Sequence, residues 1–148
     1  MELEESFGYL LGISARLVKH EFDQKLKEVN LTTSQWAVLK VLSEDGALTQ
    51  AELAKKLHSD RATTGTVIDK LVGKELIKKE IHQFDRRAFV VTLCPETRAL
   101  VASVTKQALA TNHNVLRKFD EKEKELFMDF LERIVNNLSE EDENELEE

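Results

Sequence analysis

Apolar residues recur at three- and four-residue steps through the N-terminal segment. Leu3, Phe7, Leu10, Leu11, Leu17, Val18, Phe22, Leu26 and Val29 form one stripe, which predicts a long amphipathic helix over about 3–29. Two later helices announce their starts twice over. Thr32 with Gln35 makes a capping box between Leu31 and Trp36 at hydrophobic-staple spacing, and Thr49 with Glu52 repeats it between Leu48 and Leu53. Helices near 33–44 and 50–57 follow, separated by the turn Glu44-Asp45-Gly46. After Leu57 the connection His58-Ser59-Asp60 leads into RATTGTVIDKLVGK, where either Ser59 or Asp60 can cap a further helix. In that helix Thr64, Val67, Ile68 and Leu71 share one face, while Ala62, Thr63, Thr66, Asp69 and Lys70 point the other way. The outer face begins with short, uncharged, hydroxyl-bearing residues, where a merely solvated face carries Lys and Glu. Small side chains there admit close approach of another surface.

Leu76–Ile81 and Ala88–Leu93 are β-compatible runs, with Phe89, Val91 and Leu93 on one side of the second, and the tip between them carries Arg86 and Arg87. Pro95 stands where the first turn of a helix tolerates it, and Leu100, Val104, Ala108, Val115, Leu116 and Phe119 continue at helical steps, interrupted by Thr111-Asn112-His113-Asn114. Asp120 with Glu123 caps a last helix whose stripe runs from Leu126 through Phe127, Phe130, Leu131, Ile134 and Val135 to Leu138. Three helices, a tight turn between the second and third, and a hairpin directly after them describe a winged helix-turn-helix: a mainly α fold with a small β-hairpin wing. One domain over 1–138 is expected, with the winged lobe at about 32–93, helical extensions at about 3–29 and 95–138, and an acidic tail at 139–148.

Composition narrows the class. The chain has 148 residues, 41% of them hydrophobic and 33% charged, with one Pro, which suits a single helix-rich globular domain. No apolar run approaches the ~18 residues of a membrane helix, and the N-terminus is acidic where a signal peptide is basic, so a cytoplasmic protein with no membrane partner is expected. The single cysteine, Cys94, allows no intrachain disulfide, and His20, His58, His82 and His113 lack metal-ligand spacing. Neither a metal nor a cofactor is expected. No glycine-rich phosphate loop, HExxH or serine elbow is present, so catalysis is set aside.

Net charge is −7, yet residues 49–93 carry nine basic and six acidic side chains, a local balance of +3, while the last ten residues carry seven acidic ones. A polyanion would be met in the middle third. There a helix opening with small polar residues can enter a major groove and present hydroxyls and Arg61, and arginines on a hairpin tip can reach the adjacent minor groove, where narrow A·T-rich DNA concentrates negative potential.

The stretches LTTSQWAVLKVL, LTQAELAKKL, DRATTGTVIDKLVGKELI and DRRAFVVTL resemble the MarR (multiple-antibiotic-resistance regulator) family across nearly the whole chain. The resemblance implies a homodimeric transcription regulator, with the first and last two helices building the dimer, a recognition helix at Asp60–Lys74, and a wing motif on Asp85 and Arg87. Its operator would be pseudo-palindromic double-stranded DNA. The candidate DNA contacts are Ser59, Arg61, Ala62, Thr63, Thr66, Lys70, Arg86 and Arg87. Asp85 is expected to shape the hairpin or pair with an arginine, since a carboxylate facing phosphate repels. The chain departs from the family pattern at Lys74-Glu75-Leu76, where Lys-Gly-Leu is usual, and at Leu93-Cys94, where Leu-Thr is usual. In the family, small amphipathic aromatic effectors bind between the dimerisation helices and the winged lobe. His20, Phe22 and Trp36 are the candidate wall residues here. The competing reading is a winged helix used for protein docking without DNA, which the acidic tail and net negative charge favour.

Overall fold

The computed structural model describes residues 1–147, with side chains described through Ser139; beyond Ser139, the side chains of the acidic tail lie outside the described residues. After a short 3₁₀ turn at Leu3–Glu5, the elements are α1 (Phe7–Lys27), α2 (Thr33–Asp45), β1 (Leu48–Thr49), α3 (Gln50–Lys56), α4 (Arg61–Gly73), β2 (Ile77–Ile81), β3 (Phe89–Leu93), α5 (Thr97–Val115) and α6 (Glu121–Glu147). Six helices and a small antiparallel sheet make this the winged helix-turn-helix expected. The first helix starts later than its apolar stripe suggests, because Ser6 is extended (φ −72°, ψ 121°) and separates the 3₁₀ turn from α1.

Both capping boxes form. Thr32 Oγ1 accepts the Gln35 N–H while Gln35 Oε1 accepts the Thr32 N–H, each at 3.1 Å, and Thr49 with Glu52 repeats the exchange at 3.1 and 3.4 Å. Each satisfies two backbone donors that a helix start leaves open, worth ~1 kcal/mol. The ends of α1, α3 and α4 share one device. Asn30, His58 and Glu75 adopt left-handed φ of 57°, 51° and 62°, and the next N–H reaches back to the carbonyl five residues earlier (Leu31 to Leu26, Ser59 to Ala54, Leu76 to Leu71). The third of these positions is where the family usually has Gly. Gly46, at φ 79° and ψ −152°, makes the turn between α2 and β1, a conformation closed to residues with a Cβ.

The sheet has three strands in the order β1-β3-β2. The hairpin pairs Ile77 with Leu93 and Ile81 with Phe89, while Leu48 pairs with Val91. Residues 1–111 form one compact unit and the chain from Asn112 onward a second, so the boundary falls inside the polar stretch 111–114. The first unit is built on one core fed by its five α-helices and both hairpin strands: Leu26 from α1, Leu39 from α2, Leu53 from α3, Ile68 and Leu71 from α4, Ile77 from β2, Val91 from β3 and Val104 from α5, all nearly or fully buried. Burying each such aliphatic side chain stabilises the fold by ~1.5–3 kcal/mol, so α4 and the hairpin are held from behind by the same core. In the second unit, Phe119 and Phe127 stack at 6.3 Å and the Asp120–Glu123 box caps α6.

Candidate nucleic-acid interface

Asp60, not Ser59, caps helix α4. The Asp60 carboxylate accepts the Thr63 N–H at 2.7 Å through Oδ1 and the Thr63 hydroxyl at 2.8 Å through Oδ2. The backbone N–H of Thr63, and then its hydroxyl, hold the Asp60 carboxyl below the usual carboxylate range. Thr66 Oγ1 donates to the Ala62 carbonyl at 3.2 Å. Both threonines of the outer face therefore spend their hydroxyl protons within the helix. What they present outward is a methyl group and acceptor lone pairs, a complement to thymine methyls and base amino groups. The inner face is fixed by Thr64, Ile68 and Leu71, all buried.

A residue that the sequence patterns did not single out braces this helix. Gln50, at the start of α3, donates through Nε2 to the Arg61 carbonyl at 2.7 Å, and its carboxamide lies over Gly65, where a Cβ would come within 2.6 Å of that nitrogen. A second brace links α4 to the wing, since Lys79 Nζ on β2 pairs with Asp69 Oδ1 at 3.0 Å. That pair is solvent-exposed and worth at most ~1 kcal/mol. Lys74 is turned inward, donating to the Asn30 carbonyl and to Gln35 Oε1, which removes it from the outer surface and joins the end of α4 to the capping box of α2.

The wing tip is closed by its own hydrogen bonds. His82 N–H donates to the Ala88 carbonyl and Ala88 N–H to the Asp85 carbonyl at 3.0 and 3.1 Å, while His82 Nδ1 accepts the N–H groups of both Phe84 and Asp85 at 3.1 Å. Asp85 Oδ1 accepts the Arg87 N–H at 3.0 Å and its Nε at 3.3 Å, so Asp85 both shapes the turn and pairs with arginine. The Arg87 side chain is nevertheless 92% exposed.

All eight candidate contacts, Ser59, Arg61, Ala62, Thr63, Thr66, Lys70, Arg86 and Arg87, are exposed. Among the described residues, Arg61, Lys70 and Arg86 carry no side-chain ion pair, so their charges are unspent. The three candidate wall residues do not come together as one cavity. Trp36 is buried in the core with Phe22 against it edge-on at 6.1 Å. His20 is exposed, bonded to Gln24, and lines an open groove of about 380 Å³ with Asp23, Lys27 and Thr33. Trp36 is thus a core residue of α2.

No group of His, Cys, Asp and Glu side chains among the described residues could hold a metal ion. Cys94 is a free, half-buried thiol at the junction of β3 and α5, its N–H bonded to the Leu76 carbonyl. Among the described residues no helix is long and apolar enough to cross a membrane.

A helix-turn-helix whose third helix and wing present basic and small polar side chains defines a DNA-binding transcription regulator. The profile of the MarR family matches residues 31–89, and the chain belongs to that family. It is 30% identical to the HTH-type transcriptional repressor NicR of Pseudomonas putida over 100 residues, which cover 68% of this chain and 63% of that one. Among solved structures, the transcriptional regulator PA3341 is 31% identical with a TM-score of 0.80, covering 91% of this chain and 99% of that one. BpsR of Bordetella bronchiseptica, whose DNA binding is regulated by 6-hydroxynicotinic acid, is 27% identical with a TM-score of 0.85 over 91% of this chain and 96% of that one. The family and these relatives are transcription regulators and not enzymes.

Proposed function

We propose that this protein is a cytoplasmic, homodimeric repressor that binds a pseudo-palindromic operator, with α4 in the major groove and the wing in the adjacent minor groove. The observation that carries the reading is the unspent charge of Arg61, Lys70 and Arg86 beside the exposed methyl-bearing threonines of α4, on elements anchored rigidly by one core. Ser59, Ala62 and Arg87 complete the contact set. Single-copy binding would leave apolar surface in water on both terminal segments: Phe7 is 77% exposed and Leu17 58% on α1, and Phe130 48% and Leu138 58% on α6. A second copy of the chain would cover these faces, making 1–138 one functional domain and spacing two α4 helices by about one DNA turn.

The test is a mobility-shift titration against the DNA flanking the protein's own gene, at several salt concentrations. Binding whose logarithm falls linearly with the logarithm of salt supports the reading. Absence of any shift, with the protein folded, returns the winged lobe to a protein-docking role. Light scattering that finds a monomer bound tightly to such a site would remove the dimer.

We further propose release by a small carboxylated aromatic effector, of the class that regulates BpsR. An effector can shift operator occupancy only by its differential affinity for the bound and released states. Titrating 6-hydroxynicotinic acid and a panel of phenolic and carboxylated aromatics into the preformed complex tests it. Compounds that raise the melting temperature of the free protein yet leave DNA affinity unchanged would sink the coupling.

A further inference from the structure

The wing ends in a side chain that the charge argument leaves unused. Phe84, at the tip of the β2–β3 hairpin, is 87% exposed, and its only ring contact among the described residues is the edge of His82 at 6.1 Å. The ring is held out by construction. Its own N–H and that of Asp85 are both tied to His82 Nδ1, and the tip is closed on either side by the bonds of His82 and Ala88. These bonds fix the backbone of the tip at Phe84, and the ring projects from it into solvent. Behind it, Ile81 and Phe89 are cross-strand partners on one face, 64% and 56% exposed. They continue the face that buries Ile77 and Val91 past the end of the core.

We propose that Phe84 is a DNA-contacting residue of the wing tip, packing its ring against the sugar and base walls of the minor groove beside Arg86 and Arg87, and so reading the deformability of the base steps that flank the recognition sequence. The inference rests on the operator reading above and adds to it an apolar, uncharged contact. Charge complementarity names the occupant, because Phe84 lies within three residues of both exposed wing arginines on the same hairpin tip. Area argues against a stable protein partner, since three side chains of at most ~250 Å² each fall short of the ~800 Å² per side of a standard interface. Apolar side chains set against base steps from the minor-groove side are a known means of gripping DNA, and they favour the flexible pyrimidine–purine steps over stiff A-tracts.

The test compares wild type with Phe84→Ala, Phe84→Leu and Phe84→Trp on a duplex site selected from a random pool, with its flanks varied between TA or CA steps and A-tracts, across a salt series. The expected result is that Phe84→Ala loses affinity by about tenfold, within the range an aromatic ring on a base surface contributes, with an unchanged salt slope and no remaining flank preference. Phe84→Trp and Phe84→Leu should retain most of both, and all variants should melt like wild type. If Phe84→Ala matches wild type in affinity and flank preference while both bind DNA in a salt-dependent manner, the proposal is overturned and the operator reading stands. If the Trp and Leu variants fall as far as Ala, the tip itself has been disturbed and the ring is not the contact. A wild type with no salt-dependent DNA binding overturns both.

Discussion

The carboxamide of Gln50 occupies the space that a side chain at Gly65 would need. Gln50 Nε2 reaches across from α3 to the Arg61 carbonyl at 2.7 Å, and a Cβ at residue 65 would stand 2.6 Å from that nitrogen. The first turn of α4 is thus pinned to α3 by one side chain passing over one glycine.

Gly65→Ala sets two effects against each other. Alanine favours the helix over glycine by ~1 kcal/mol, but it displaces the Gln50 carboxamide from Arg61. Since the displaced atoms end a flexible side chain, global stability should change little while DNA affinity falls, because the first turn of α4 loses its tie to α3. Adding Gln50→Ala should restore the stability gain and leave the affinity loss. Urea melts and binding titrations of the two singles and the double give the coupling, expected at about 0.5–3 kcal/mol for groups in contact.

The wing arginines should act through charge. Arg87→Ala is expected to weaken operator binding by about 1–3 kcal/mol and to lower the salt slope by about one, with Arg86→Ala doing similar or lesser damage and folding unaffected in both. Two variants that bind as tightly as wild type would show that the wing does not meet the DNA.

Because the hydroxyl protons of Thr63 and Thr66 are held by Asp60 and Ala62, these residues should read bases through their methyl groups. Thr63→Ser and Thr66→Ser keep the helix bonds and remove only the methyl. Selection from a random pool should then show weakened preference at thymine positions. An unchanged selected sequence would place both residues away from base edges.

The Asp60 cap predicts an acid limit for α4. The folded-state carboxyl lies below its ordinary value because of the Thr63 N–H and hydroxyl, so its stabilising contribution is complete above the ordinary range near ~3.9 and is lost as pH falls through the lowered value. Asp23, held down first by the Thr33 hydroxyl and then by Lys19, follows the same sign. Asp60→Asn keeps an acceptor at the cap but cannot ionise. Its stability should fall less steeply than that of wild type in melts taken from pH 5 toward pH 2; parallel curves would count against the cap as the source.

Glu75 offers the converse experiment. Its φ of 62° closes α4 with a left-handed residue, a conformation that costs a residue with a Cβ ~1–2 kcal/mol. Glu75→Gly should therefore stabilise the protein by up to ~1 kcal/mol after the added freedom of the unfolded chain is counted. A lower denaturant midpoint for the glycine variant would show that Glu75 makes a compensating contact.

Most of the winged lobe is legible from local signals. The two capping boxes act over three residues, and the apolar stripe of α4 acts over one or two turns, so the starts of α2 and α3 and the buried face of α4 are settled by neighbours in the chain. The hairpin needs only two β-compatible runs and a tip. Opaque in the sequence are the relationships between segments far apart: the third strand, where Leu48 joins Val91; Lys74 turning back to Asn30 and Gln35; and Gln50 lying over Gly65. None has a period or a motif.

The surface divides in the same way. That Thr63 and Thr66 point outward follows from helical periodicity, but that their hydroxyl protons are already spent depends on atoms of Asp60 and Ala62 at hydrogen-bond distance. That Trp36 belongs to a staple and Phe84 to a hairpin tip is legible in sequence, but how far each is covered, Trp36 buried with Phe22 edge-on against it and Phe84 87% exposed, is set by packing. Local sequence thus determined which elements form and which way they face, because propensity and capping act within a helical turn. Tertiary structure decided which side chains remain free to meet DNA, because that depends on which polar and apolar groups the rest of the fold has already used.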